Sequence, residues 1–78
     1  MEHLSKEDAQ WLLEEYNKIR GYGKVNQWID YHLRAMSLIR NTTYNKPSCN
    51  CEFASYAQMA NSFFDQHYEE IKNRAANQ

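Results

Sequence analysis

The sequence predicts an all-α fold, an antiparallel three-helix bundle with a long third helix. Three observations carry this expectation. Apolar residues recur at three- and four-residue spacing through three segments. The only glycines and the only proline (Gly21, Gly23 and Pro47) all fall between those segments. So few punctuating residues in 78 argue against a sandwich, a barrel or a disordered linker. The length holds one core and therefore one domain, residues 1–78.

The first helix is expected at about 6–20. Ser5 is its N-cap, with Asp8 three residues on in the acidic form of a capping box. Leu4 precedes the cap and can staple onto Ala9. Ala9, Leu12, Leu13, Tyr16 and Ile19 mark one face, and Gly21 suits the C′ position. The joint Gly21-Tyr22-Gly23-Lys24 lacks a preceding strand and the full glycine spacing of a phosphate loop, so it reads as a turn. A connection this short folds the next helix back antiparallel.

The second helix is expected at about 25–40. Val25, Trp28, Ile29, His32, Leu33, Ala35, Met36 and Ile39 make its broad apolar stripe. Residues 41–50 show no period and hold the proline, which indicates a loop. The third helix is expected at about 51–75, along Phe53, Tyr56, Ala57, Ala60, Phe64, His67, Tyr68 and Ile71. The expected core is Leu12, Leu13, Tyr16, Ile19, Trp28, Ile29, Met36, Ile39, Phe53, Ala57, Phe64 and Ile71.

The net charge of −1 hides a segregation. Glu2, Glu7, Asp8, Glu14 and Glu15 against Lys6 leave residues 1–17 at −4. Lys18, Arg20, Lys24, Arg34, Arg40 and Lys46 against Asp30 leave residues 18–46 at +5. Most of these charges sit where a helix dipole favours their sign. Lys24, at the start of a helix, is the exception. No base-reading fingerprint accompanies the basic segment.

Cys49-Asn50-Cys51 offers two sulfurs. Cys51 and His67, on one helix, are about 24 Å apart at 1.5 Å per residue, too far for one ion. An inter-chain zinc at Cys49 and Cys51 is the one metal arrangement left. The favoured reading is two free thiols, with Cys51 partly buried under the 41–50 loop and Cys49 nearer solvent. No metal and no other cofactor is expected. His32 and His67 fall on apolar stripes and read as core-edge histidines bonded to a tyrosine or a carbonyl. Glu14-Glu15 and Glu69-Glu70 point about 100° apart on a helix and form no acid–base pair, so no catalytic residue and no enzyme is expected.

Eleven aromatic rings exceed what such a core needs. Trp11, Tyr31, Leu38, Met59 and Phe63 fall off the expected core faces, and Tyr22 and Tyr44 lie in joints. Tryptophan and tyrosine outside a core are among the residue types most enriched at interface hot spots. The expected function is a non-enzymatic helical interaction or assembly protein, a homo-oligomer or part of a larger complex. In size, asparagine content and lack of catalytic motifs the chain looks like the small accessory proteins that phages encode. The alternative is a nucleic-acid-binding bundle using Lys24, Arg34, Arg40 and Lys46. No apolar run approaches the roughly 20 residues that span a bilayer. The acidic start lacks the apolar region of a secretory signal. The expected location is therefore intracellular and reducing, in the cytoplasm, a virion or a phage-infected cell.

Overall fold

In the computed structural model, which describes residues 1–21 and 23–76, the chain is helical with no strand among the described residues. The joint residue Tyr22 lies outside them. Ser5 Oγ accepts the Asp8 N–H at 3.0 Å and starts α1, Lys6–Glu14. Leu4, just before the cap, is buried with Ala9 and Leu12. The first helix does not run unbroken to residue 20. Glu15 leaves helical geometry (φ −97°, ψ 21°) and α2, Tyr16–Arg20, begins after it. The break is one residue wide. Glu15 N–H still reaches the Trp11 carbonyl at 2.9 Å, and the Glu15 carbonyl takes the Ile19 N–H at 3.0 Å.

Gly21 caps α2 in an extended conformation (φ −79°, ψ 135°), not the left-handed one of a usual C′ glycine. Its need for glycine is spatial. A Cβ there would stand 2.8 Å from Trp28 Cζ3 and 3.1 Å from the Asn17 carbonyl oxygen. Residues 23–27 form a turn, and the next helix, α3, spans Ile29–Arg40 rather than starting near Val25. Trp28 (φ −110°, ψ 20°) is the break that lets its ring lie on Gly21. At the far end Asn41 takes the left-handed conformation (φ 54°, ψ 46°), which asparagine tolerates, and stops α3.

The following loop is pinned to α3. Ser37 Oγ donates to the Leu33 carbonyl at 2.8 Å and accepts the Tyr44 N–H at 3.1 Å. A 3-10 turn, Asn50–Glu52, leads into α4, Phe53–Gln66. His67 (φ −114°, ψ 17°) then interrupts the expected single long helix, and α5 runs over Tyr68–Ala76. α1 packs on α5, while α4 packs on α3 and α2. The two breaks meet. Tyr16 and Tyr68, each the first residue after a break, close on Phe64 with ring centroids 5.4 and 5.7 Å away.

One apolar cluster joins Leu4, Ala9, Leu12, Ile19, Ala35, Ile39, Phe64 and Ile71. A second joins Ile29, Leu33, Met36, Phe53 and Ala60, and Phe63 packs against both. Three expected core residues stand further out. Leu13 and Trp28 are partly buried, and Tyr16 is 38 % exposed. The break at Glu15 is the reason for Tyr16, because it turns the second half of the first helix to a new face.

Two polar side chains, His32 and Asn61, are buried in this interior. Asn61 Nδ2 donates to the Ile19 carbonyl at 3.2 Å and to the Ala57 carbonyl at 2.6 Å, while its Oδ1 accepts from Arg20 at 2.7 Å. His32 Nε2 donates to the Gly21 carbonyl at 3.2 Å. Thus α4 and α3 each supply a donor to the end of α2. Removing the Asn61 amide takes away its buried bonds to the Ile19 carbonyl and to Arg20. The Asn61→Ala chain is expected to lose about 2 kcal/mol of stability. That corresponds to a Tm lower by about 8–16 °C, measured by thermal circular dichroism.

Candidate functional site

The residues expected off the core divide sharply once placed. Trp11, Tyr31, Leu38 and Phe63 are partly buried against the first apolar cluster. Only Met59 stays on the surface, at 37 % exposed. For Trp11 the expectation of a face turned from the core is corrected. Its ring lies parallel to Tyr31 with centroids 6.0 Å apart, so it joins α1 to α3. A helical wheel drawn from the Ala9–Leu12 face alone misses this, because the side of α1 that carries Trp11 is covered by Tyr31 of α3.

All four basic residues of the nucleic-acid alternative lie over rings. Lys24 stands 5.3 Å from the Trp28 centroid and Arg34 4.2 Å from Trp11. Arg40 stands 4.8 Å from Phe63 and Lys46 5.8 Å from Phe53. Lys18 adds a fifth, 5.0 Å from Tyr31. At exposed sites each such contact contributes about 0.5–1 kcal/mol. The excess of basic charge in residues 18–46 therefore covers the excess of rings. Lys18 is also bonded to Glu15 at 3.0 Å, and that bond raises its pKa above the ordinary lysine value.

Apart from Phe63, which lies beneath Arg40, the outer face of α4 is outside this cover. Ser55, Gln58, Met59, Ser62 and Phe63 line a shallow depression there. Ser55, Met59 and Ser62 share one side of the helix by their spacing. Asp65 is the sole charged residue in the 14 of α4. Ser55, Gln58 and Ser62 were not singled out from the sequence. The signal that points to them is this lack of charge on an exposed helical face, since charge depletion marks interface centres. A second depression, lined by Trp11, Asp30, Tyr31 and Arg34, lies over the ring pair.

Cys49 and Cys51 are bonded to one another, which corrects the expectation of two free thiols. Both residues are exposed, so Cys51 is not under the loop. The 3-10 turn causes the pairing by bringing the two Cα atoms to 5.2 Å. Bonded sulfurs cannot serve as thiolate ligands for an inter-chain zinc. A crosslink around three residues removes little chain entropy, about 1.6 kcal/mol against about 3 for a 15-residue loop. It is a poor staple. Among the described residues no group of three or more His, Cys, Asp or Glu side chains is placed to hold a metal ion. No described helix is long and apolar enough to cross a membrane.

The two stripe histidines part company. His67 is half-exposed, with Nδ1 2.9 Å from Glu70 Oε1. That contact, with help from the N-terminal amine, holds the Glu70 carboxyl below the usual carboxylate range. His32 is fully enclosed, and its Nδ1 has no hydrogen-bond partner. Burial pushes its pKa below the ordinary 6.5 and outweighs the Gly21 and Ile19 carbonyls, which favour the charged form. No family model, curated protein or solved structure matches the chain.

The sign of the His32 effect follows from proton uptake. Below about pH 6.5 the unfolded chain binds a proton at His32 that the folded chain still refuses. Its contribution is complete above that pH and is lost as the pH falls toward the folded-state value. Thermal melts of the native chain should show a decline in Tm below pH 6.5. His32→Leu, though less stable throughout, should show a smaller decline over the same range.

Proposed function

We propose that this chain is a non-enzymatic helical interaction protein that associates with a second copy of itself through the outer face of α4. The reading rests on an antiparallel three-rod bundle, with α1–α2 and α4–α5 as kinked rods and α3 as the straight one. The observation that carries it is the exposed Met59 among uncharged Ser55, Gln58 and Ser62, on a helix with Asp65 as its sole charge. Two copies of such a face can meet without like-charge repulsion or stranded ions. Small serines beside the methionine let two backbones approach closely, and methionine adapts to an irregular partner surface. Incorporation of such a dimer into a larger, phage-type assembly is compatible with the same face.

Nucleic-acid binding through Lys24, Arg34, Arg40 and Lys46 has less support. Each of these cations already lies over a ring of its own chain. Binding of that kind would show a steep loss of affinity with salt in a gel shift.

Light scattering is the direct test. The native chain is expected to have a solution mass of two or more protomers. Met59→Glu combined with Ser62→Glu is expected to reduce it to one, with the helical circular dichroism unchanged. Both sites are exposed, so the double variant is expected to fold. A native chain that stays monomeric at high concentration overturns the reading. So does a double variant that associates as before.

A further inference from the structure

We propose that the Cys49–Cys51 disulfide is a thiol–disulfide exchange site, open to thiol-bearing partners and polarised so that attack falls on Cys51. Three observations combine. The bond closes a loop with a single residue between its ends, so it contributes little as a crosslink. Residues 48–52 are all exposed, so an incoming thiolate meets no covering side chain of a neighbouring helix. The two sulfurs are not equivalent: the Cys51 N–H donates to Cys49 Sγ at 3.2 Å. That donor stabilises negative charge on Cys49 and makes its sulfur the better leaving group.

The exchange balances without any further reagent than the thiol. A thiolate R–S⁻ attacks Cys51 Sγ. The Cys49–Cys51 bond breaks, and its electron pair departs on Cys49 Sγ, which keeps the hydrogen bond from the Cys51 N–H. The product is a mixed disulfide between the partner and Cys51. A second thiolate attacks the partner sulfur of that mixed disulfide and releases R–S–S–R, leaving Cys51 as a thiolate. Two thiols are oxidised to one disulfide, and the protein disulfide is reduced to two thiols. The same steps in reverse oxidise a partner dithiol.

Glutathione serves as the probe on the full chain. The oxidised protein is mixed with millimolar reduced glutathione at neutral pH, quenched in acid, and read by intact-mass and peptide-mapping mass spectrometry. The expected result is loss of the disulfide, with the glutathionyl adduct on Cys51 exceeding that on Cys49 by about tenfold. Exposure of Cys49→Ala and Cys51→Ala to oxidised glutathione provides the mass standards for the two adducts. Three results overturn the proposal: a disulfide that resists glutathione in the folded chain, an adduct found mainly on Cys49, or two thiols that fail to pair in oxidised glutathione. Circular dichroism taken before the quench confirms that the reacting protein is folded.

Discussion

The constraint on which the remainder of the structure depends is the end of α2. A helix of five residues forms few bonds of its own, and its last carbonyls need partners in a buried setting. Asn61 from α4 reaches the Ile19 carbonyl, and His32 from α3 reaches that of Gly21. Arg20 completes the arrangement by donating to Asn61 and to Asp65 at 3.1 Å. Two helices, α3 and α4, are thereby fixed around one short segment. The packing of Trp28 on Gly21 closes the same corner. Polar side chains in the interior are tolerated because they are satisfied, with His32 Nδ1 the exception among the described residues.

The N-terminal segment repeats the principle at the other end. His3 Nε2 lies 3.1 and 3.0 Å from the Leu38 and Ile39 carbonyls at the end of α3. Arg74 Nε donates to the Leu4 carbonyl at 2.7 Å, and the N-terminal amine faces Glu70. These contacts hold residues 1–4 against α3 and α5. They explain how Leu4, outside any helix, becomes one of the most enclosed side chains. Between the two ends, surface chemistry is dominated by cations lying on rings. Such pairs hide aromatic area from water while leaving the charge solvated. On the outer face of α4 only Phe63 has this cover, and the bonded cysteines stand at the approach to the same helix. The molecule thus presents a helical face with few charges and, at the start of the same helix, an exposed disulfide.

Much of the architecture was legible in the residues. Ser5 as a cap and the helical stripes through Leu12, Ile39, Phe64 and Ile71 need only local rules. The breaks at Glu15, Trp28 and His67 were not legible. Each of these residues is an acceptable helix former or aromatic in a periodic stretch, and nothing local forbids continuation. The candidate site was legible only in part. Met59 could be found by its position off the stripe. Trp11, Tyr31, Leu38 and Phe63 could not be sorted from it, because their burial depends on which neighbouring helix packs over each flank.

The sequence by itself determined the helical class, the starts and stops set by caps, and the identity of most enclosed apolar residues. These follow from periodicity and short-range hydrogen bonding, which act within a few residues. Tertiary structure alone decided where the helices break, which rings are covered by cations and which sulfurs meet. Many of those outcomes depend on partners distant in the chain, as with Trp11 and Tyr31 or Leu4 and Arg74. Even the Cys49–Cys51 bond, though local, goes with the 3-10 turn that leads into α4. Side chains report which face is apolar. Only the packed chain determines what that face meets.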